Sequence, residues 1–140
     1  MANTIHVDIV SAEGQIFAGD ASMVFAPAVE GEIGIAPRHA PLLTTLKPGE
    51  VRVQAPGEPE ELSFFIGGGA LEVQPHQVTV LADTAVRAKD LDEAAALEAR
   101  RRAQDAMQER TDKVEIAEAQ IELARAAAQL RMIERLRKKR

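Results

Sequence analysis

The stretch VTVLADTAVRAKDLDEAAALEA, which runs from Val78 to Ala99, decides the fold because the spacing of its apolar residues changes along it. Val78 and Val80 are two residues apart, as in a strand with one buried face. After Ala88 the chain becomes rich in alanine, and Asp90 precedes Glu93 by three residues, a spacing typical of a helix start. We therefore predict a β domain over residues 1–88 and a helical domain over residues 89–140.

The first 88 residues alternate apolar and polar side chains in several short runs. The clearest of these runs are Ile5-Val7-Ile9, Val51-Val53 and Leu71-Val73. Turn signals such as Pro48-Gly49 separate the runs, and no helix of useful length fits between them. Many short strands with turns between them favour an antiparallel β-sandwich or barrel.

Three successive glycines, Gly67–Gly69, interrupt the run FFIGGGALEVQP, which spans Phe64 to Pro75. Glycine adopts positive φ without a steric cost, so the triplet indicates a bend or bulge between two buried strands. A phosphate-binding loop is the functional alternative. It would require a following Lys-Ser or Lys-Thr pair and a helix, and the sequence has neither at this position.

The C-terminal part predicts two helices joined by a short turn. The first helix covers about Leu91 to Met107, and Gln108–Thr111 interrupts its pattern. Asp112 and Glu115 repeat the spacing of a helix start, so the second helix begins near Lys113. The fold class is thus β followed by α, with a two-helix antiparallel hairpin at the C-terminus.

The predicted contact between the two helices is rich in small residues. Apolar residues of the second helix recur at spacings of three and four, at Ile116, Ala119, Leu123, Ala126, Leu130 and Ile133. The facing positions of the first helix are Ala95, Ala99, Ala103 and Ala106. At about 0.8 kcal/mol per buried methylene, alanines stabilise such a contact weakly. The hairpin could therefore open, although a static packed element is the simpler alternative.

The sequence lacks the residues of the common catalytic and metal sites. It has no cysteine, which excludes disulfides, zinc ribbons, iron–sulfur clusters and thiol nucleophiles. His6, His39 and His76 do not have the spacing of metal ligands on a helix. Ser11 and Ser63 lie outside any nucleophile motif. We therefore expect neither an enzyme nor a protein that carries a cofactor.

Charge is distributed unevenly along the chain. Residues 1–90 hold five Lys and Arg against twelve Asp and Glu, whereas the last ten residues, RMIERLRKKR, hold six positive charges against one negative. This basic tip could neutralise nucleic-acid phosphates, but the rest of the chain is acidic and has no aromatic stacking platform. We expect a solvated helix end or a contact with an acidic protein surface, and no nucleic-acid partner.

The first twenty residues show neither a secretory nor a transit pattern, and no run of eighteen apolar residues follows them. Any association with a membrane is therefore expected to be indirect, through a partner.

The segment EGEIGIAPRHAPLL, from Glu30 to Leu43, combines two glycines, two prolines, an arginine, a histidine and two glutamates. Its composition alone leaves an active site, a metal site and a docking loop open.

Four runs of the sequence together resemble one protein family. They are HVDIVSAEGQIFAG, EGEIGIAPRHAPLLTTLKPG, GGGALEVQPHQVTVLADTAVRAKDLDEA and AQLRMIERLRKKR. In this order, and over essentially the whole chain, they are similar to the epsilon subunit of bacterial F-type ATP synthase, which is called delta in mitochondria. The resemblance implies a sandwich of about ten strands followed by a two-helix domain.

The resemblance also implies partners and a location. Such a subunit is a non-catalytic part of the rotor of a proton-translocating complex, between the gamma subunit and the membrane ring of c subunits. It lies at the cytoplasmic face of the bacterial inner membrane. The segment Glu30–Leu43 then becomes a rigid docking loop, and Glu32 and His39 become candidate contacts with the ring.

The resemblance gives the hairpin a regulatory role. Its helices would extend along gamma and meet the alpha and beta subunits, where a basic end would contact acidic segments and inhibit ATP hydrolysis. The basic residues concerned are Arg131, Arg135, Arg137, Lys138, Lys139 and Arg140.

A nucleotide site of some family members is matched only in part. The resemblance places Asp92, Arg102 and Arg125 at such a site, but Ala95 and Gln129 stand where those members have arginines. Each lost charged donor should cost about 1.5–3 kcal/mol, so we expect weak ATP binding at most.

Two other classes of function compete with this interpretation. One is a free-standing β-sandwich module that binds nucleic acid or an acidic surface through its basic tip. The other is a small β-sandwich enzyme, which the missing acid–base residues disfavour.

Overall fold

The computed structural model describes residues 3–139, and the chain divides after Lys89 into two compact units. Eight strands lie in the first unit, and their bounds are β1 Ile5–Ser11, β2 Gly14–Ala21, β3 Met23–Ala28, β4 Gly31–Ile35, β5 Leu42–Gln54, β6 Leu62–Gln74, β7 Gln77–Ala82 and β8 Ala85–Arg87. A short 3-10 turn, Ala88–Asp90, follows β8. The second unit contains the helices α1, Glu93–Glu109, and α2, Lys113–Lys138. The β followed by α class predicted from the sequence is confirmed.

The strands form one continuous hydrogen-bonded sheet in the order β2-β1-β7-β6-β5-β3-β4, and β8 pairs with β6. Neighbouring strands are antiparallel except β1 and β7, which run parallel. This parallel pair departs from a purely antiparallel sandwich, and it is possible because five strands connect β1 to β7.

The two longest strands, β5 and β6, each take part in both layers of the sandwich. β6 pairs with β8 over Phe64–Ile66 and with β7 from Gly69 onwards. The change of partner falls on the glycine triplet, where Gly68 and Gly69 have φ of 104° and 142°. The predicted structural bend is thus correct. Counting each of these two strands as two segments raises the eight strands to the expected ten.

The interior of the first unit is aliphatic, as the composition requires. Alternate residues of β1, namely Ile5, Val7 and Ile9, are buried, and so are Val78 and Val80 of β7. They belong to one cluster with apolar residues of β3, β4, β5 and β6. At about 1.5–3 kcal/mol for each buried aliphatic side chain, this cluster dominates the stability of the sandwich.

Helix α1 begins two residues later than the sequence suggests. Its N-cap is Asp92, whose carboxylate accepts a hydrogen bond from the Ala95 amide at 3.2 Å, whereas Asp90 belongs to the preceding 3-10 turn. The helix extends to Glu109, two residues beyond the predicted end. Helix α2 begins as predicted, with Asp112 accepting a hydrogen bond from the Val114 amide at 2.8 Å.

The two helices form an antiparallel hairpin with few large side chains in contact. Ala103 on α1 and Ala119 and Ala126 on α2 are buried. The predicted stripe of α2 is therefore largely correct, but on α1 Ala95 is exposed and Ala96 is buried instead. Ala96 and Ala103 are seven residues apart, about two helical turns, so they share a face, whereas Ala95 is turned about 100° away from Ala96.

Candidate functional site

The segment Glu30–Leu43 consists of a strand followed by a constrained loop, so only its second part is a loop. Within that loop the Arg38 amide donates a hydrogen bond to the Pro75 carbonyl at 2.9 Å, and Arg38 has a positive φ of 67°. The His39 amide bonds to the Ala36 carbonyl at 3.1 Å. The first of these bonds ties the loop to the β6–β7 turn, and the second closes the loop on itself. The His39 ring bonds through Nδ1 to the Ala40 carbonyl at 2.7 Å.

Glu32 lies in strand β4 and is part of an ionic cluster. Nη2 of Arg52 donates to Oε1 of Glu32 at 3.0 Å, and Nη1 of Arg52 lies 3.2 Å from Oε2 of Glu61. The guanidinium also lies over the Phe25 ring, 4.3 Å from its centroid. Partial burial lowers the pKa of Arg52, but the bond to Glu32 and the two carboxylate charges outweigh it and hold the pKa above its ordinary value. Glu32 is half-exposed and is therefore fixed in position while still reachable by a partner.

The structure places Glu32 and His39 in separate hydrogen-bonded environments. The Glu32 side chain bonds to Arg52 near the end of β5, whereas the turn before β4 and the loop after it both connect to the first part of β5. The turn before β4 is tied to it by the Val29 amide, which bonds to the Thr45 carbonyl at 3.1 Å. The loop with His39 leads directly into Leu42, which pairs with Val73. Hydrogen bonds therefore fix the backbone of this segment, but its side chains do not converge on one point.

An exposed apolar surface, which the sequence interpretation missed, lies on the outer face of the sheet. Leu43 is 74% exposed, and Leu81 and Val29 are each 52% exposed. Leu81 pairs with Ala70, and Ala70 pairs with Thr45, beside Leu43 on the same strand. We call Val29, Leu43, Ala70 and Leu81 the outer-face patch. The sequence contained evidence for this surface, because Leu43 and Leu81 are apolar residues at strand positions where the alternation predicts polar ones.

The basic residues of the tail are partly engaged within the hairpin. Arg137 forms an ion pair with Glu93, and Lys138 lies 3.4 Å from Glu134. Arg131 is exposed and Arg135 is half-buried. Lys139 is the C-cap residue of α2. Arg140 lies outside the described residues.

The three residues at the implied nucleotide site have different roles in the helical unit. Asp92 caps α1, Arg102 lies ten residues further along that helix, and Arg125 is half-buried on α2. Ten helical residues span about 15 Å, so Asp92 and Arg102 lie almost three helical turns apart. Arg102 instead lines an open groove of about 500 Å³. Its other charged lining residues are Arg110, Glu115, Glu118 and Glu122. Three carboxylates against two guanidinium groups make this groove a poor phosphate site.

Residues 3–139 contain neither a membrane-spanning helix nor a cluster of metal ligands. In residues 3–139 no helix combines the length and the apolar character needed to cross a membrane. Within the same part of the chain no three His, Asp or Glu side chains converge as metal ligands would.

The sequence matches two family models that together cover most of its length. Residues 4–88 match the β-sandwich domain of the ATP synthase delta/epsilon chain, and residues 89–134 match its long α-helix domain. The chain belongs to the delta/epsilon family of ATP synthase subunits. The epsilon chain of Halorhodospira halophila is 64% identical over 137 residues, which cover 98% of this chain and 97% of that relative. The epsilon chain of Nitrosococcus oceani is 63% identical over 139 residues, which cover 99% of each chain.

Solved structures with the same fold come from mitochondrial ATP synthases. A chain of the Euglena gracilis enzyme, solved as an assembly of OSCP, F1 and c-ring, matches with a TM-score of 0.79 at 20% identity. The match covers 90% of this chain and 79% of that one. A chain from the central stalk and c-ring of the Tetrahymena thermophila enzyme matches with a TM-score of 0.66 at 13% identity, over 92% and 96% of the two chains. At these identities the matches establish the fold.

Membership of the delta/epsilon family settles the general role of the protein. It is a non-catalytic subunit of ATP synthase, and thereby a peripheral component of a membrane-associated complex. A match over nearly the full length of both chains does not favour a free-standing binding module.

Proposed function

We propose that this protein couples the gamma subunit to the c-ring through its β unit and inhibits ATP hydrolysis through its helices. The observation that carries the coupling role is the outer-face patch. Large apolar side chains that share one exposed face usually mark a protein interface. Leu43 and Leu81 contribute most of the exposed apolar surface in this patch.

We assign the outer-face patch to gamma because the contact must persist while the rotor turns. Durable interfaces have an apolar centre and a polar rim. Leu43 pairs with the exposed Glu72, and Val29 is followed by the exposed Glu30, so the rim carries negative charge. The matching surface of gamma should therefore be apolar with basic residues around it.

We assign Glu32 and His39 to the c-ring, as the family resemblance implies. Both belong to backbone that is held by hydrogen bonds, which reduces the entropy lost on docking. Glu32 keeps one half-exposed carboxylate next to Arg52, and it can accept hydrogen bonds from polar groups of the ring. The c-ring assignment places the subunit on the cytoplasmic face of the inner membrane.

The inhibitory role belongs to the hairpin and its basic end. The buried contact between α1 and α2 rests largely on alanines, so separating the two helices from each other costs little apolar contact. Val114 and Ile121 are exposed on α2, at 65% and 52%, and they lie seven residues apart on one side of the helix. These two residues and the basic end together provide what an acidic, partly apolar site on the alpha and beta subunits would recognise.

The test uses a reconstituted complex of alpha, beta and gamma. ATP hydrolysis is measured during titration with the full chain and with a chain that ends at Ala88. We expect inhibition by the full chain alone and binding to gamma by both. Equal inhibition by the two would contradict the role of the hairpin, and failure of both to bind gamma would contradict the coupling role.

A matched pair of substitutions tests the assignment of the patch. Leu43→Asp places a charge at the centre of the outer-face patch, whereas the control, Ala18→Asp, changes an exposed residue of β2 at the far edge of the sheet. We expect only Leu43→Asp to weaken binding to gamma, by about tenfold or more, since burying an unpaired carboxylate is costly. Equal effects would show that gamma does not use the patch.

A further inference from the structure

A pocket on the β unit combines apolar side chains with cations. It has a volume of about 380 Å³ and lies where β6 extends past the end of β8. Phe17, Leu62, Phe64, Arg87, Ala88 and Lys89 line most of it. All of these residues belong to the first unit.

The wall of this pocket is a pair of aromatic rings. The centroids of Phe17 and Phe64 are 5.3 Å apart, with the rings tilted by 48°. Phe64 is buried and fixes the position of Phe17, which is half-buried. Leu62 is 39% exposed beside them. An apolar side chain of a partner could therefore cover surface that is now exposed to water.

The rim of this pocket carries positive charge in a unit that is otherwise acidic. Residues 1–90 contain five Lys and Arg against twelve Asp and Glu, and two of those five cations are Arg87 and Lys89. Both side chains are exposed. The pocket also contains Glu61, but its carboxylate accepts hydrogen bonds from Arg52 and Gln54. The available charge at the rim is thus positive.

Arg87 is held in position before any ligand arrives. Its Nη2 donates a hydrogen bond to the Ile16 carbonyl at 2.5 Å, which ties β8 to β2. A guanidinium has five N–H donors, so the others stay available for a carboxylate. A fixed cation loses little conformational entropy on binding, which favours recognition.

We propose that this pocket docks an acidic peptide segment of a partner protein, which inserts one apolar side chain against Phe17 and Leu62 and places carboxylates on Arg87 and Lys89. An open pocket of this size accommodates one or two side chains, which suits a short segment. The pocket adjoins the Arg52 cluster through Glu61, but it includes neither Glu32 nor His39 and no residue of the outer-face patch or the tail. The proposal therefore does not depend on the assignments to gamma, the c-ring or the catalytic subunits.

The probe is an acetylated peptide of sequence Asp-Glu-Leu-Asp-Glu, together with a twin in which serine replaces the leucine. Each is titrated into the full-length, ¹⁵N-labelled chain, and amide chemical shifts are followed. We expect roughly millimolar, salt-sensitive binding of the leucine peptide, with the largest shifts at Phe17, Leu62 and Arg87–Lys89. The serine twin should bind about fivefold more weakly, because it cannot cover the apolar wall.

The basic tail is the obvious competitor for an acidic peptide, and a matched pair of substitutions separates the two sites. Lys89→Gln removes one rim charge, and Lys138→Gln removes one exposed charge of the tail. We expect Lys89→Gln to weaken binding of the leucine peptide about three- to fivefold and Lys138→Gln to leave it unchanged. The proposal would be overturned if only Lys138→Gln weakened binding of the leucine peptide, or if the two peptides bound equally well. Amide shifts confined to α2 would overturn it too. Shifts of the pocket residues with anionic lipid vesicles but not with the peptides would overturn it as well.

Discussion

The carbonyl oxygen of Leu81 lies only 2.0 Å from the position that a β-carbon on Gly69 would occupy. Gly69 also has a φ of +142°, which L side chains rarely adopt. It stands where β6 leaves β8 and begins to pair with β7. The close approach of β7 at this glycine therefore depends on the absence of a side chain.

The substitution Gly69→Ala should destabilise the β unit strongly. The unusual φ alone costs about 1–2 kcal/mol for a residue with a β-carbon, and the clash with backbone atoms adds to it. We expect the free energy of unfolding, measured in urea, to fall by about 3 kcal/mol or more. The control is Gly57→Ala, where φ is +78° and no atom lies within 4 Å. Gly57→Ala should lower the free energy of unfolding only by the cost of the unusual φ. Equal losses for the two variants would show that β7 moves away and relieves the clash at residue 69.

The substitution Arg52→Ala should destabilise the β unit by about 1–3 kcal/mol, because it leaves the largely buried Glu61 without its charged partner. Arg52→Lys should recover part of this loss, since an ammonium can contact one carboxylate but cannot reach both with a planar fork. Urea unfolding of the full chain measures both variants. A more stable Arg52→Ala protein would mean that desolvation of the arginine outweighs its two ion pairs.

The substitution Arg101→Gln tests an exposed pair on α1. The hydrogen bond and the charge of Arg101, whose Nη2 lies 2.6 Å from Oε1 of Glu98, hold the pKa of Glu98 below its ordinary value of 4.5. A depressed pKa means that the ionised carboxylate stabilises the helix above pH 4.5, and that this contribution disappears as the pH falls through the lowered pKa. A side-chain NMR titration should show the Glu98 pKa rising in Arg101→Gln. An unchanged titration curve would contradict the assignment.

The substitution Asp92→Ala compares the observed helix cap with the one suggested by the sequence. Asp92 accepts the hydrogen bond from the Ala95 amide, so its loss should cost about 1 kcal/mol. Asp90→Ala removes the acidic residue of the preceding 3-10 turn and should cost much less. Circular dichroism during thermal unfolding measures the loss of helix in the Asp92→Ala and Asp90→Ala variants. A larger effect of Asp90→Ala would mean that α1 begins earlier in solution.

Local signals in the sequence were sufficient for much of this fold. The glycine triplet marks the bend of β6 because its conformational freedom is a property of the residue itself, and Asp112 marks the start of α2 because a cap bonds within its own first turn. Asp90 and Asp92 are two residues apart and are equally suitable as helix caps. Which of them caps α1 depends on the path of the chain after β8, and the local sequence does not reveal that path.

The candidate contacts depend on residues that are distant in the sequence, and these could not be predicted. Arg52 meets Glu32 and Glu61 across twenty and nine residues, so strand register determines the cluster. Leu43 and Leu81 are likewise brought to one face only by the pairing of β5, β6 and β7. Alternation alone could have shown that each points outwards, but not that they are neighbours.

The ion pair between Glu93 and Arg137 connects the first turn of α1 to the last turn of α2, and it gives a test of the hairpin. Both side chains are largely exposed, so the pair should contribute little to global stability. Its removal by Glu93→Gln should instead loosen the end of α2 and release Arg137 for an acidic partner. We expect faster amide exchange over residues 130–138 and, if the proposed inhibitory role is correct, inhibition of ATP hydrolysis at about two- to threefold lower concentration. The matched control is Glu109→Gln at the other end of α1, which should change neither quantity. Faster exchange without stronger inhibition would show that Arg137 is not among the residues that contact the catalytic subunits.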